Sequence, residues 1–234
     1  MEIESIVKAS RDKELFLLLS YIKELGLKPG DRLPSIKEIA AGLKMNASQV
    51  RSSMIKASAL GIVETHPRSG TYLRGFEFSR LQDLFSLMIV VGDGDTRFRL
   101  IHIHDLKTIL EKGTFASAAL RATDEELCEL RTYIDESEKT NELERLIDFD
   151  EKFHLTIAQM SRNPFSVALL SVINGLLRKD RLENTNYMAT KNDTLSEHRM
   201  IYESLKNRNI EEAMRLAEHH GDRRKQLLMD GPAR

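Results

Sequence analysis

Ser35-Ile-Lys-Glu-Ile-Ala-Ala-Gly-Leu-Lys-Met-Asn-Ala-Ser-Gln-Val-Arg51 contains two helix starts separated by one tight turn. The serine that opens this stretch is followed three residues later by Glu38, which is the pattern of a capping box. It predicts a short helix from Ile36 to about Leu43. After the turn, Asn46 is a favourable N-cap for a second helix that ends near Leu60. Two short helices joined this closely form a helix-turn-helix.

A helix before this stretch and a hairpin after it extend the motif. Leucines and isoleucines at helical spacing predict a helix over Ile6 to Leu25, which a turn at Lys28–Asp31 follows. Downstream, Ile62–Thr65 and Thr71–Arg74 have the composition of strands, and His66–Gly70 between them has that of a hairpin tip. Three helices followed by a hairpin are the element order of a winged helix.

Composition indicates a globular protein. The chain has 234 residues, enough for two ordinary domains, and it is 41% hydrophobic and 30% charged. Its only cysteine, Cys128, excludes an intramolecular disulfide and favours a reducing compartment. The sequence contains neither an apolar run of about 18 residues nor the basic and apolar pattern of a signal peptide. We therefore expect a cytoplasmic protein without a membrane partner.

Charge is distributed unevenly between the two ends of the chain. Residues 1–75 contain 12 Lys and Arg against 8 Asp and Glu, whereas the remainder contains 23 against 28. Lys and Arg contacts to phosphates supply most of the non-specific affinity of DNA-binding proteins. The N-terminal part is therefore the one expected to bind a polyanion.

Five short motifs occur in order within about residues 10–75. They are Pro29-Gly30-Asp31-Arg32-Leu33-Pro34-Ser35, Glu38-Ile39-Ala40, Val50-Arg51, Gly61-Ile62-Val63 and Ser69-Gly70-Thr71. In this order they resemble the signature of GntR-family transcriptional regulators. The resemblance implies that the helix after Asn46 enters the major groove of double-stranded DNA and that the hairpin tip reaches the minor groove or the backbone. The positions that match DNA contacts of the family are Lys37, Asn46, Ser48, Gln49, Arg51, His66, Arg68 and Gly70.

Residue chemistry agrees with part of this assignment. The guanidinium of Arg51 can bind a guanine or a phosphate with two hydrogen bonds, although a solvated helix arginine would have the same sequence context. Ala47 and Ser52 depart from the family, whose members usually have a basic and an acidic residue at these positions. These departures put the operator sequence in doubt more than DNA binding itself.

The sequence after residue 75 is helical in pattern. Leu81, Leu84, Phe85, Met88 and Ile89 predict a linker helix, followed by a flexible break at Gly92–Asp95. We therefore expect a winged helix-turn-helix domain over residues 1–75, a linker over 76–95 and an all-α antiparallel bundle over 96–230. Six bundle helices are expected: Thr96 to Ala122, a capping box at Thr123 to Lys139, a box at Asn141 to Met160, Asn163-Pro164 to Leu182, Thr194 to Lys206, and a box at Asn209 to Leu228. The polar stretch Glu183–Asp193 is either a frayed helix end or a loop.

Four residues of this bundle are candidate metal ligands. Asp150 and His154 lie four residues apart on one helix, so their side chains point to the same side. His198 and His220 lie near the ends of two other helices. Three imidazoles and a carboxylate suit a borderline divalent ion, Zn²⁺ with Ni²⁺ and Mn²⁺ as alternatives. The spacing does not show that the four converge, and each histidine could instead fill or cap the bundle.

A second set of motifs bears on this question. Leu110-Glu111, Ala122-Thr-Asp-Glu125, Asp150 with Phe153-His154, Asn163-Pro164, Glu197-His198 and His220 resemble the FCD effector domain of FadR-type GntR regulators, over about residues 80–228. The resemblance implies that Asp150, His154, His198 and His220 bind a divalent metal. It also implies a small organic acid effector, for which Lys107 and Asn174 are the candidate contacts. Lys107 replaces an arginine of many members and lacks its bidentate fork.

The remaining histidines receive other assignments. His219 points about 100° away from His220 on the same helix and is expected at the surface. His102 and His104 are expected in the bundle or its pocket.

We therefore expect a homodimeric regulator that binds a palindromic operator and responds to a small carboxylate bound at the metal. One alternative is a regulator whose metal is purely structural, or which senses the metal itself. Another is an all-helical metallohydrolase, but it would have no use for the winged helix, and the sequence has no His-Glu-x-x-His motif.

Overall fold

The computed structural model describes residues 12–75, 79–91, 96–183 and 186–230. It divides into two compact units, Met1–Arg80 and Leu81–Arg234. The predicted helix residues before Asp12, the break at Gly92–Asp95 and part of the polar stretch lie outside the described residues.

In the part of the first unit that the structure describes, three helices are followed by a hairpin. Its elements are α1 (Lys13–Glu24), α2 (Ile36–Leu43), α3 (Ala47–Ala59), β1 (Val63–His66) and β2 (Gly70–Leu73). The two strands pair antiparallel with Val63 opposite Leu73 and His66 opposite Gly70. Leu18, Ile39 and Val50, one from each helix, are fully buried in its core. The predicted winged helix is confirmed.

Side-chain caps determine where these helices begin. Both boxes in the opening stretch form: Ser35 with Glu38, and Asn46 with Gln49, exchange reciprocal hydrogen bonds with the backbone. The first helix of the described residues begins at Lys13, because the backbone of Asp12 is not helical and its carboxylate accepts a hydrogen bond from the Leu15 N–H. Asp12 is therefore an N-cap rather than a helix residue.

The described residues of the second unit form helices joined by short turns, without strands. The helix α4 (Ser79–Val91) begins two residues before this unit. The others are α5 (Thr96–Arg121), α6 (Asp124–Lys139), α7 (Leu143–Met160), α8 (Pro164–Glu183), α9 (Asn186–Ala189), α10 (Lys191–Lys206) and α11 (Ile210–Asp230). The long helices α5 and α11 pack against each other, and α6, α7 and α10 complete a core around Phe115, Phe153 and Ile201. The mainly helical fold class is confirmed.

Two local predictions in this unit are wrong. No side chain caps α7, whose N-cap is Glu142; instead, Thr140 Oγ1 accepts the hydrogen bond of the Glu142 N–H. The polar stretch is partly helical, because it contains α9 and the start of α10. Tyr187 is buried, and Lys191 Nζ donates to the carbonyl oxygens of Glu138 and Thr140, so tertiary contacts fix this segment.

Among the described helices, none combines the length and the apolar character that crossing a bilayer requires.

Candidate metal centre and DNA-binding surface

The side chains of Asp150, His154, His198 and His220 meet inside the second unit. The first two come from α7, His198 from α10 and His220 from α11. One potential ligand atom from each lies within 4.8 Å of those of the other three. Each side chain is at least nine-tenths buried. His198 Nε2 lies 3.5 Å from Asp150 Oδ1, and His154 Nε2 lies 3.9 Å from the same oxygen.

Packing and ring contacts orient the three imidazoles. The Phe153 ring stacks on His198 with centroids 4.1 Å apart and planes at 13°. The imidazole centroids are 5.0 to 5.3 Å from one another. Because Phe153 is adjacent to His154 on α7 and also belongs to the core, the same packing that holds the bundle together fixes the rings.

Two carboxylates contact the Nδ1 atoms of His154 and His220. His154 Nδ1 lies 2.7 Å from Glu111 Oε1, and His220 Nδ1 lies 2.6 Å from Glu197 Oε2. Arg223 in turn donates to Glu197 Oε2 over 2.8 Å. Carboxylates behind metal-bound histidines fix the tautomer in which Nε2 carries the lone pair.

The Nε2 atoms of His154 and His198 give a test of whether a metal ion fits among these side chains. His154 Nε2 and His198 Nε2 are buried and have no hydrogen-bond partner among the described residues. His154 Nδ1 is close to Glu111 but does not meet it in hydrogen-bond geometry either. Buried polar atoms are nearly always satisfied, so two unsatisfied nitrogens beside one carboxylate require an explanation. A divalent cation is an acceptor for the lone pairs of all four side chains. The donor set therefore fits a borderline metal ion.

Electrostatics keep these groups in their metal-binding protonation states. Burial lowers the pKa of His220 to about 4, although its hydrogen bond with Glu197 opposes this shift. Burial also lowers the pKa of His198 well below its ordinary value. For Asp150, burial alone would raise the pKa, but the nearby charges, led by Arg224, outweigh it and lower the pKa well below the usual range. The neutral imidazoles of His198 and His220 and the ionised carboxylate of Asp150 are therefore favoured at neutral pH.

A cavity beside the four side chains has several basic groups in its wall. Besides Asp150, His154 and His220, its lining includes Lys107, Arg181 and Arg224. Arg224 Nη2 lies 3.4 Å and Arg181 Nη1 lies 3.6 Å from the carboxylate of Asp150. The Arg224 guanidinium also lies over the ring of Tyr187, 4.5 Å from its centroid. The same lining includes the carboxylates of Glu111, Asp150 and Asp180, so these three cations are balanced by three carboxylates in the absence of a bound ion.

The two candidate effector contacts differ in their placement. Lys107 lies in the cavity wall, where its ammonium donates to Glu111. Asn174 is buried but is not part of that lining, and its Oδ1 accepts a hydrogen bond from Arg181 Nη2 over 3.2 Å. Asn174 is thus placed to orient Arg181 rather than to reach the cavity itself.

The other histidines lie in three different environments. His104 is buried in the cavity wall, whereas His102 is exposed beside Phe98. His219 has a side chain that is 58% exposed, and its Nε2 is 3.6 Å from Glu197. It therefore points away from the four converging side chains.

Three residues around the cavity, Arg181, Tyr187 and Arg224, are not among the predicted site residues. Arg224 follows His220 by four residues, so helical spacing placed both on one face and could have identified it. Tyr187 lies in a stretch of polar composition, which gives no sign that its side chain is buried. The sequence contains no comparable signal for Arg181, whose position depends on how α8 packs on α7.

In the first unit, the predicted DNA-binding residues lie at the start of α3, on α2 and at the hairpin tip. The side chains of Lys37, Asn46, Ser48 and Arg51 are exposed. Arg51 also lines a groove between these helices and the hairpin. Exposed side chains at the start of a recognition helix are those that can reach base edges.

Gln49 differs from these because its amide is already engaged within the protein. Its Oε1 accepts from the Asn46 N–H over 3.0 Å, and its Nε2 donates to Glu14 Oε1 over 2.7 Å. Any contact of this amide with a base would have to replace one of these bonds. Gln49 therefore fixes the start of α3 relative to α1.

The hairpin tip exposes two of its three candidate residues. His66 and Arg68 are exposed, whereas Gly70 is half-buried with φ +123°. A Cβ atom at Gly70 would lie 2.6 Å from Nε of Arg32, which crosses the hairpin at this point. The backbone conformation of Gly70 favours glycine, and a side chain at this position would also displace the end of Arg32.

Comparison with known proteins supplies the identity of both units. Residues 102–223 match the FCD domain, and residues 17–73 match the bacterial regulatory proteins of the gntR family. The HTH-type transcriptional regulator LutR of Bacillus subtilis is 28% identical over 192 residues, which cover 79% of this chain and 85% of that protein. The Uxu operon transcriptional regulator of Escherichia coli is 30% identical over 144 residues, or 60% of this chain and 54% of that protein.

A solved structure, described as Streptococcus agalactiae GntR, has a similar fold. It superposes with a TM-score of 0.72 at 25% sequence identity, covering 92% of this chain and 98% of that one. The FCD match alone spans more than half of the sequence. The chain therefore belongs to the GntR family of bacterial regulatory proteins, in the group with an FCD domain, and it is a DNA-binding transcriptional regulator rather than an enzyme.

Proposed function

We propose that a small carboxylate metabolite, bound at a divalent metal in the helical unit, controls the affinity of this regulator for its operator. The observation that carries the proposal is the convergence of Asp150, His154, His198 and His220. Two of their atoms, Nε2 of His154 and Nε2 of His198, have no hydrogen-bond partner among the described residues. In this assignment residues 1–75 bind DNA, 76–95 link the domains, and 96–230 bind metal and effector.

The proposed metal is Zn²⁺, with Ni²⁺ and Mn²⁺ as alternatives, since three imidazoles and one carboxylate suit a borderline ion. When bound, the ion would supply positive charge and open coordination positions for carboxylate oxygens. Glu111 and Glu197 would orient two of the histidine ligands through their Nδ1 atoms.

An anionic effector would need cations that are released when the metal binds. Lys107 donates to Glu111, which is not a proposed ligand, whereas Arg181 and Arg224 lie 3.6 and 3.4 Å from Asp150, which is one. Metal binding to Asp150 would therefore leave these two guanidinium groups as the stronger candidates for a contact with a carboxylate. Asn174 would act by holding Arg181. An effector that prefers one arrangement of the bundle by about 1–3 kcal/mol would change operator affinity about 5- to 150-fold.

DNA recognition is assigned to α3 and the hairpin, through Lys37, Asn46, Ser48, Arg51, His66 and Arg68, with Gln49 and Gly70 in supporting positions. A single winged helix contacts few base pairs, so we propose a homodimer that binds a palindromic operator.

The test measures operator affinity in the three states that the proposal distinguishes. An operator is first selected from random DNA by the protein itself, and binding is then followed by fluorescence anisotropy with the metal-free protein, with Zn²⁺, and with Zn²⁺ plus a panel of small hydroxy and dicarboxylic acids. We expect at least one acid to change the affinity by about 5-fold or more, and only in the presence of metal. Indifference to every metal and acid would overturn the proposal.

Two variants make this test specific to the site. His198→Ala removes one proposed ligand and should abolish the response to acid. His219→Ala removes an exposed histidine next to His220 and should leave it unchanged. Equal responses in both variants would count against a metal-bound effector.

A second candidate function is a regulator in which the metal is structural or is itself the signal. The observation that favours it is that four fully buried protein ligands are the number found in closed structural zinc sites. Titration with Zn²⁺ and with a chelator, followed by both melting temperature and DNA affinity, separates the cases. A structural ion raises the melting temperature without changing DNA affinity, whereas a sensed metal changes both.

A further inference from the structure

The groove between α2, α3 and the hairpin is lined by arginines from two different segments of the chain. Arg51 belongs to the first half of α3, and Arg32 lies in the segment before α2. The same lining includes Glu38, Thr65 and Thr71. We call the groove that these five residues line the helix–hairpin cleft.

The hairpin fixes the backbone of Arg32 on both of its sides. After it, the Leu33 N–H donates to the carbonyl oxygen of Thr71 over 2.8 Å. Before it, the carbonyl oxygen of Asp31 accepts from the Leu73 N–H over 2.8 Å. Arg32 is therefore held at the edge of β2, although about 40 residues separate the two in the chain.

Positive charge predominates in the helix–hairpin cleft. Arg32 and Arg51 are both exposed, and neither guanidinium forms an ion pair within the part of the chain that the structure describes. Glu38 supplies a carboxylate to the lining, and this carboxylate accepts a hydrogen bond from the Ser35 N–H over 2.7 Å. Among the described residues of the lining, two guanidinium groups thus stand against one carboxylate, and the cleft favours an anion.

Two hydroxyl groups add hydrogen-bond donors to these cations. Thr65 and Thr71 are paired across the hairpin, and their Oγ1 atoms lie 3.0 Å apart. Whichever hydroxyl donates this hydrogen bond, the other keeps its own hydrogen for an acceptor outside the pair. Arginine side chains and hydroxyl groups are the donors that commonly bind phosphate oxygens of DNA.

The geometry of B-DNA defines what passes through this cleft. One sugar-phosphate strand separates a major groove from the minor groove next to it. A protein with α3 in the major groove and the hairpin tip at the adjacent minor groove has to straddle that strand. The helix–hairpin cleft lies between these two elements, so the strand has to run along it.

We infer that the helix–hairpin cleft holds a backbone phosphate of this strand, and that Arg32 is a further DNA-binding residue that contacts the phosphate. Phosphate contacts set the position of a protein on the duplex but do not read its sequence. Arg32 therefore sets how α3 lies in the major groove, because β2 holds its backbone. This assignment rests on the proposed DNA-binding role of α3 and the hairpin and adds a residue that is not among the predicted contacts.

The salt dependence of DNA binding tests this role of Arg32. Fluorescence anisotropy between about 50 and 200 mM salt gives the slope of log affinity against log salt concentration, for the selected operator and for a random duplex. Arg32→Gln should lower the affinity for both duplexes by about 10-fold and reduce the slope by about 1 for each subunit. Arg32→Lys keeps the charge and should keep most of the slope.

Arg74→Gln is the matched control, since it removes the same charge from the same hairpin. Arg74 is exposed, lies outside the lining of the cleft, and its Nε is 2.9 Å from Glu64 Oε2. This variant should leave the slope nearly unchanged. A reduction in slope as large as that of Arg32→Gln would show a general effect of charge and overturn the inference.

Two further outcomes bear on the inference. A lower affinity of Arg32→Gln with an unchanged slope and a lower melting temperature would mean that Arg32 only supports the hairpin, which overturns the phosphate contact. If Arg51→Ala binds the operator with unchanged affinity, the proposed role of α3 is wrong, and the cleft assignment with it. If Arg51→Ala weakens binding and Arg32→Gln does not, only the cleft assignment is overturned.

Neutral phosphate analogues locate the contact on the DNA. Methylphosphonates are placed one position at a time along the operator, and each duplex is measured with the unmodified protein and with Arg32→Gln. At one position in each half-site the analogue should weaken binding of the unmodified protein by about 10-fold but have little further effect on Arg32→Gln, because the two changes remove the same contact. Independent losses at every position would overturn the inference.

Discussion

The two units of this regulator place their functional side chains in opposite environments. The residues assigned to DNA binding are mostly exposed, and their positions are set by capping boxes within a few residues of sequence. The four candidate metal ligands are buried and come from three helices between positions 150 and 220. The first kind of site depends on local sequence and the second on the packing of the whole bundle. Substitutions should therefore act very differently in the two units.

The largest expected effect comes from a core residue of the bundle that also contacts the candidate site. Phe153→Ala removes a fully buried ring that stacks on His198, so it should lower the free energy of unfolding by about 3–5 kcal/mol and weaken metal binding as well. Urea unfolding and zinc titration measure the two effects. Unchanged zinc affinity in the folded variant would show that the packing of Phe153 does not orient His198.

Acid should destabilise the metal-free protein through its buried histidines. Burial lowers the pKa of His104 to about 3, from about 6.5 in the unfolded chain. Between these values the unfolded chain binds a proton that the folded chain does not, so the free energy of unfolding falls as the pH falls below about 6.5. By pH 5 the contribution of His104 is about 2 kcal/mol.

Urea unfolding at pH 7 and pH 5, with a chelator present, checks this dependence. His104→Asn should lose less stability on acidification than the unmodified protein, whereas His219→Asn should lose the same amount. An identical pH dependence in all three proteins would contradict the role of His104.

A smaller effect is expected from the carboxylate behind one candidate ligand. Glu197→Gln removes the negative charge that holds His220 Nδ1, so zinc affinity should fall about 10- to 100-fold while the fold is retained. Competition with a chromophoric chelator measures the affinity. Glu203→Gln, an exposed position on the same helix, is the control. Equal affinities in the two variants would show that Glu197 has no orienting role.

The smallest effects should come from the helix caps, and they should be alike in both units. Asn46→Ala and Thr123→Ala each remove one side of a capping box, at a cost of about 1 kcal/mol. Only Asn46→Ala should also weaken DNA binding, because its box positions the start of α3. Thermal unfolding and operator affinity distinguish them, and an equal loss of DNA affinity in both would contradict the local character of the DNA-binding surface.

The sequence predicts contacts within one helical turn, but not contacts between segments that are far apart in the chain. The boxes at Ser35, Asn46 and Thr123 form as expected because both partners lie within one helical turn. The box at Asn141 was wrong because Thr140, outside the pattern, supplies the hydrogen bond. The segment around Tyr187 looked polar because its anchors, such as the carbonyl groups that accept from Lys191, lie about 50 residues away.

The candidate site could be predicted only in part for the same physical reason. Helical spacing relates Asp150 to His154, and His220 to Arg224, but no spacing relates residues on different helices. The family resemblance supplied the set of four ligands. Arg181 and Tyr187 reach the cavity through the packing of α8 and α9, which the sequence pattern does not encode locally.

The hydrogen bond between Gln49 and Glu14 has a consequence for engineering. The amide of Gln49 is bonded to α1, whereas Ser48 and Arg51 are exposed, so in the proposed DNA complex these two side chains are the ones free to contact bases. Grafting α3 alone onto another winged helix would therefore separate Gln49 from its partner and let the helix start shift. A successful graft should include Glu14. A DNA footprinting experiment would not identify this residue, because it contacts Gln49 within the protein.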